Sequence, residues 1–485
     1  MPHPSNGEIK CLIAATEAKM LSIQTQIDAL TRTLETQRAT LARLQWSILP
    51  MGKLPTELLV EIFAYSILDQ GDVPLRLSHV CRYWRRIINS TPKLWNQGVM
   101  DVHLTGNTVA ETYAKTLAAL LARSAPLPVS ISFKQHAQHA VDKINLMEIA
   151  KHVFHAISAT ISRWKHLSMD VNSFKLLTDL PEGSFPILES LDAEYDTYGR
   201  VAPLGTFSSA PKLQNVSLFL HGSRTYNPRL LLLPWTQLTS LKLTYFSPSA
   251  CLATILQCTR LVSADLTTSE WDEPMPASPP VITTLPSLAV LHISFELGND
   301  DVGLVSPFFA PLALPALHTL ALTFDPTPSV LWPTAELSAF QSRSPHLRNI
   351  KLQHASITSS ELASLLRLAP ETTELTLHGC SDAVDDPLLD QLTYHKDTDA
   401  PPLAPRLRHL IVSGFGAYEF SARRLERMVR SRWWEDPAAR PQQVAYLEQL
   451  VIPPVDRLAG SFTNGIFGDS IVDLVEDGFY FSYDE

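Results

Sequence analysis

The chain has 485 residues, 45% hydrophobic and 18% charged, which is room for several domains or one elongated array and too apolar a composition for a disordered chain. A formal net charge of -10 argues against nucleic acid as the main partner, because phosphate binding draws on clustered Lys and Arg. No apolar run approaches the ~20 residues that span a bilayer, and the scattered cysteines Cys11, Cys81, Cys251, Cys258 and Cys380 read as reduced thiols. Met1-Pro2-His3-Pro4 shows no charged-then-apolar signal pattern, so a cytoplasmic or nuclear location is expected.

Residues 8–48 contain neither glycine nor proline. Stepping alternately by four and three from Ile9 reaches Ile13, Thr16, Met20, Ile23, Ile27, Leu30, Leu34, Gln37, Leu41, Leu44 and Ile48, ten apolar among twelve positions. That is a heptad seam, the pattern of a coiled coil. A lone helix cannot cover such a stripe, so it pairs with a second copy, pairs with another protein, or folds back. Self-association is the favoured expectation, as a homodimer through residues 8–48.

Three short helical patterns follow in residues 49–97. Leu54-Pro55-Thr56-Glu57 opens the first, with proline in the first turn and Glu57 at the positive end of the helix dipole. Leu58, Leu59, Ile62 and Phe63 are placed on one face. The pattern stops before Gly71-Asp72, and Pro74 starts the second. The third sets Leu77, Val80, Cys81, Trp84, Ile87 and Ile88 on one helical face, with Arg82, Arg85 and Arg86 opposite. Thr91-Pro92 ends it, before Leu94-Trp95. So small a bundle buries too little apolar surface to stand comfortably alone.

At these residues the stretch resembles the F-box. The likeness lies in Leu54-Pro55, Glu57-Leu58 and Ile62-Phe63, then Val80-Cys81, Trp84-Arg85 and Ile87, then Pro92 and Leu94-Trp95. The resemblance implies a docking module for the Skp-type adaptor of cullin-RING ubiquitin ligases, with contact residues mapping onto Leu54, Pro55, Leu58, Ile62, Val80, Cys81 and Trp84. The alternative is a bundle whose apolar face packs inside its own chain.

Beyond the bundle the rhythm changes to strand and helix. Val99, Met100, Val102 and Leu104 suggest a strand, Glu111 to Arg123 a helix, and Val129, Ile131 and Phe133 a second strand. A helical pattern follows through Met147, Val153, Phe154, Ile157 and Ile161. From Trp164 a frame of apolar residues at positions one, four and six recurs, as at Trp164-Leu167-Met169, Leu213-Val216-Leu218, Leu238-Leu241-Leu243, Leu288-Leu291-Ile293, Leu317-Leu320-Leu322, Leu347-Ile350-Leu352, Leu407-Leu410-Val412 and Leu447-Leu450-Ile452. Weaker copies sit at Leu188-Leu191, Leu261-Leu266 and Leu375-Leu377.

The frame is similar to the leucine-rich repeat, over most of residues 160–455. The family's asparagine slot is matched by Asn172 alone; His221, Phe246, Ser269, Glu296, Asp325, Ala355, Cys380 and Phe415 stand there otherwise, so irregular turns are expected. The fold class is therefore α/β: a long coiled-coil helix (1–48), a three-helix F-box (49–97), a solenoid of parallel strands with helices or loops (98–456), and an acidic aromatic tail (457–485) that caps the last repeat or hangs free. Stacked units bury a continuous core and leave a strand-lined surface suited to a protein target. Phe219, Lys242, Asp265, His292, Lys351, Gln353 and His378 are candidate target contacts on it, alongside Asp192, Glu194, Ser217, Thr244, Thr376 and Ile411.

No catalytic, cofactor or metal site is expected. His136 with His139, and His152 with His155, have helical spacing but no further ligand to complete a zinc set, and Cys251 and Cys258 are seven apart and read as core. No nucleophile elbow, phosphate loop or dinucleotide turn occurs. Arg423, Arg424, Arg427, Arg430 and Arg432, before Trp433-Trp434, form a basic helix that suits acidic or phosphorylated targets, or is simply a solvated face; the acidic tail is a candidate to screen it. The two functional readings are a substrate receptor of a ubiquitin ligase, itself non-catalytic, and an interaction scaffold assembled through the coiled coil and unconnected with a ligase.

Overall fold

The computed structural model describes residues 6–48, 53–70, 74–136, 142–178, 180–196, 205–221, 232–269, 282–296, 306–325, 332–396, 402–414, 420–434, 440–452 and 471–483. They fall into two compact units, Met1–Gln97 and Gly98–Glu485.

In the first unit, α1 (Asn6–Ile48) is one unbroken helix of 43 residues, and every side chain described on it is exposed. Its threonines return their hydroxyls to carbonyls four residues back, as Thr16 Oγ1 does to Leu12 O at 2.7 Å and Thr31 Oγ1 to Ile27 O at 2.7 Å. Helix α2 (Thr56–Gln70) begins where the Pro55 carbonyl accepts the Leu59 N–H at 3.2 Å. Helices α3 (Pro74–Ser78) and α4 (Arg82–Ser90) follow.

The single helical face expected from Leu77 to Ile88 is in fact two helices. A turn closes at Val80, whose N–H meets the Leu77 carbonyl, and Cys81 is extended at φ -156°. Cys81 is the N-cap of α4, its Sγ accepting the Trp84 N–H at 3.4 Å, while Arg85 Nε returns to the Ser78 carbonyl at 3.0 Å. The core of the bundle is Leu59, Phe63, Ala64, Ile67, Ile87, Ile88, Leu94 and Trp95. Trp95 Nε1 donates to the Ile88 carbonyl at 2.7 Å, satisfying a buried donor at the end of α4.

The second unit is built on a parallel sheet whose fourteen strands, among the described residues, are hydrogen-bonded in chain order from Val99–Thr105 to Tyr480–Tyr483. Every strand has an apolar residue facing the crossovers in register with its neighbours. Ile131, Leu167, Leu191, Val216 and Leu241 are one run of partners, continued through Ala264 by Leu291, Leu320, Ile350, Leu375 and Leu410. All of these are buried. Alternation along each strand does this: period-two side chains leave one face for the core and one for solvent.

The crossovers are irregular, as the missing asparagines suggested. Some are helices, such as Pro248–Ile255, Ser359–Leu368 and Ala422–Ser431; others are single turns, such as Trp235–Gln237. Asn172 lies within the short helix Val171–Phe174, capped by Asp170, and not in a ladder. Regularity comes from the strand entries. The carbonyls of Glu189, Gln214, Thr239, Val262, Ala289, His318, Arg348, Thr373 and Arg408 each accept two N–H groups from the next repeat.

The described part of the acidic aromatic stretch, 471–483, holds a short helix and the last strand, Tyr480–Tyr483, paired with Gln449–Ile452. Its earlier residues, with Phe467 and Asp469, lie outside the described ones.

Candidate functional site

Helix α2 carries apolar residues on two faces. Leu59, Phe63, Ala64 and Ile67 point into the bundle, while Leu58, Ile62 and Tyr65, at offsets of four and seven, stay exposed. Placing Leu58 and Ile62 on the same face as Leu59 and Phe63 is therefore corrected: two stripes share the helix. Among the other adaptor candidates, Pro55 and Val80 are exposed and Leu54, Cys81 and Trp84 are half-buried. Trp84 leans on Phe63 with ring centroids 4.6 Å apart, and its indole Nε1 is enclosed without a hydrogen-bond partner. Tyr65, Leu68 and Leu75, which are not among the adaptor candidates, are exposed as well. The i, i+4, i+7 run from Leu58 would have pointed to Tyr65.

The seven target-contact candidates lie on the solvent face of the sheet, in two transverse rows. Lys242, Asp265 and His292 are successive register partners, and Lys351 follows one strand later, beyond Ala321. Phe219, Gln353 and His378 belong to the neighbouring row, joined through Thr244, Thr267, Ser294 and Thr323. Charges on this face are largely answered within it: Lys242 pairs with Asp265 at 3.2 Å, Lys351 with Glu374 at 3.1 Å, and His221 Nε2 with Glu194 at 2.9 Å. Phe219 sits between His221 (4.6 Å) and Tyr245 (5.0 Å, edge-on). Neither of those two was singled out as a contact; Tyr245 owes its place to a bulge, with φ 65°.

One end of the sheet has a tight rim. His354 (φ 54°), Gly379 (φ 64°) and Gly414 (φ 95°) each follow a strand in the left-handed conformation. The His354 N–H donates to the His378 carbonyl and the Gly379 N–H to the Ser413 carbonyl, at 2.7 and 2.8 Å. Burial lowers the His354 pKa, helped by His378 and opposed by Asp325.

The basic helix is not a free clamp. Arg432 is fully buried, its guanidinium donating to the carbonyls of Leu392, Ala404 and Leu403 at 2.8, 3.0 and 2.7 Å; burial brings its pKa down to about 10. Arg424 pairs with Asp390, and Arg430 forks onto Asp473 at 2.8 and 3.0 Å while also meeting Glu426. The acidic segment thus does answer one of these arginines. Arg163 and Arg343 repeat the Arg432 device, binding carbonyls of the preceding crossover (Leu121 and Leu127; Phe309, Ala310 and Leu312).

His152 and His155 are exposed on the helix Asp142–Ser158, and His139 lies outside the described residues. No group of three metal-ligating side chains occurs among the described residues. Cys251, Cys258 and Cys380 are buried free thiols; burial pushes Cys258 up to about 12 and Cys380 up to about 11. No described helix is long and apolar enough to cross a membrane.

Comparison with known families decides what the bundle is. The F-box-like family matches residues 51–100. The chain carries an F-box-like domain. The match covers about a tenth of the sequence and contains α2, α3 and α4, so the two-faced α2 belongs to the F-box-like domain. No curated protein matches the chain. Among solved structures, a chain of the Rad7–Elc1 complex of yeast is 12% identical with a TM-score of 0.37, over 92% of this chain and 98% of that one. A leucine-rich-repeat protein of Leptospira interrogans is 13% identical with a TM-score of 0.29, over 81% of this chain and 91% of that one.

Proposed function

We propose that this chain is a substrate-recognition subunit of an SCF-type cullin-RING ubiquitin ligase. The F-box-like domain docks the Skp-type adaptor, and the solvent face of the sheet holds a protein target. The observation that carries this reading is the second apolar stripe of α2. A bundle this small gains nothing by leaving Leu58, Ile62 and Tyr65 in water unless another protein covers them. Leu54, Pro55, Leu58, Ile62, Val80, Cys81 and Trp84 form the contact, Cys81 and Trp84 also holding the start of α4 in place.

The chain does no chemistry in this mechanism. Its contribution is proximity: a target held on the sheet presents its lysines at high effective concentration to a ubiquitin carrier brought by the ligase. On the sheet face the clustered Phe219, His221 and Tyr245 supply the aromatic anchor that dominates protein contacts, with Lys242, Asp265, His292, Lys351, Gln353 and His378 around it. The seam of α1 joins two copies, which raises avidity for multivalent targets. Free thiols at all five cysteines suit the cytoplasm or nucleus as the place of action. Co-expression with a Skp-type adaptor tests the reading: a stable complex supports it, and separate elution of two folded proteins removes it.

A further inference from the structure

Helix α1 exposes its heptad seam along its whole described length; Met20 is 65% and Leu30 69% exposed. We infer that α1 binds a second copy of this chain as a parallel, in-register coiled coil whose register is set by Gln37. The inference rests on the self-association in the proposed function and adds the direction and alignment of the helices.

In heptad terms Ile13, Met20, Ile27, Leu34, Leu41 and Ile48 are at a, and Ile9, Thr16, Ile23, Leu30, Gln37 and Leu44 at d. Two of these twelve are polar. Thr16 has already satisfied its hydroxyl on Leu12 O, so it presents a methyl group to the seam. Among the described residues Gln37 makes no such bond in its own helix and needs a polar partner once the seam closes. Antiparallel coils oppose a with d. Since every a residue is apolar, no antiparallel register sets a polar core residue opposite Gln37.

A parallel pair opposes d with d, and only with zero offset does Gln37 face Gln37, each amide offering a donor and an acceptor. A shift by one heptad sets it against Leu30 or Leu44. A second copy meets this demand automatically, which argues against a foreign helix. The flanking positions raise no objection: the facing pairs Leu12–Glu17, Lys19–Gln24, Gln26–Thr31 and Thr33–Arg38 contain no like charges. The full antiparallel overlap does bring Glu17 opposite Arg38, but an exposed ion pair weighs little against a buried unsatisfied amide.

The test uses the full chain with Cys11, exposed and outside the seam, changed by Cys11→Ser. Light scattering gives the mass first, and a monomer would overturn both self-association and this inference. With a dimer in hand, Leu44→Cys is oxidised alone and Ile13→Cys is mixed with Leu44→Cys. Parallel alignment predicts homotypic Leu44→Cys cross-links and only background between the mixed variants. A heterotypic product overturns the alignment and leaves the dimer standing. Thr16→Cys with Leu41→Cys repeats the comparison should Leu44→Cys disturb folding. Adding Gln37→Leu is expected to keep the mass and lose the exclusive homotypic pattern; an unchanged pattern removes Gln37 from the explanation.

Discussion

Leu58 and Leu59 are adjacent in sequence and opposite in role: Leu59 is 0% exposed in the bundle core, and Leu58 is 52% exposed on the far side of α2. A step of one residue turns a helix by about 100°, enough to move a side chain from one face to another. The F-box-like domain uses that step to give one short helix an inner and an outer apolar stripe.

Under the proposed adaptor contact, the two leucines are expected to separate stability from docking. Leu59→Ala removes fully buried methyl groups and is expected to destabilise the first unit by about 2–5 kcal/mol. Leu58→Arg is expected to leave the melting temperature nearly unchanged and to abolish adaptor binding. Differential scanning calorimetry and a pull-down on both variants check the pair; equal loss of stability would show that the outer stripe is core.

Arg432 supports a third kind of prediction. Arg432→Met leaves the carbonyls of Leu392, Leu403 and Ala404 without their donor inside the repeat array. The cost expected is about 1–3 kcal/mol for each buried carbonyl left unsatisfied. Urea denaturation followed by tryptophan fluorescence reads it, Trp433 and Trp434 being next in the chain. A change within error would mean that water serves those carbonyls equally well.

The rim histidine gives a pH dependence. His354 has its pKa lowered by burial and by His378, with Asp325 pulling the other way. A lowered folded value means that the neutral ring is favoured in the fold. The associated stability is complete above the ordinary histidine value of 6.5 and is lost as pH falls through the folded value. His354→Asn tolerates the left-handed backbone and does not titrate. Melting curves from pH 7.5 to 5 should fall less steeply for that variant; parallel curves would assign the loss to other groups.

Gly414 tests the rim's backbone. Its φ of 95° and the 2.7 Å from an added Cβ to the Gly379 nitrogen leave no room for a side chain, and the obstacle is main chain. Gly414→Ala is expected to cost about 1–3 kcal/mol, read by the same melts, whereas Gly98→Ala meets nothing within 4 Å and should cost less.

Much of this architecture was legible in sequence because its signals are periodic. The apolar frame located the strands of the large sheet from Trp164 to Ile452, and alternation put Lys242, Asp265 and His292 on its solvent face. Three things were not legible. The break between α3 and α4 hides inside a continuous apolar pattern, because the Val80 turn and the Cys81 cap conserve the spacing. Arg432 looked like part of a basic surface, since sequence shows charge and not the carbonyls waiting one crossover earlier. Arg163, Arg343 and Arg432 each follow a serine at the end of a crossover, a Ser-Arg signal visible only once the repeats are aligned. The last strand, Tyr480–Tyr483, was masked by its acidic surroundings.

Co-purification with a Skp-type adaptor, measured by size-exclusion chromatography with light scattering, tests the docking claim most directly. The intact chain is expected to elute as a complex with the adaptor, and Leu54→Ala with Pro55→Ala to elute as a folded protein without it. An intact chain that never binds the adaptor, or a double variant that binds it undiminished, would contradict the account.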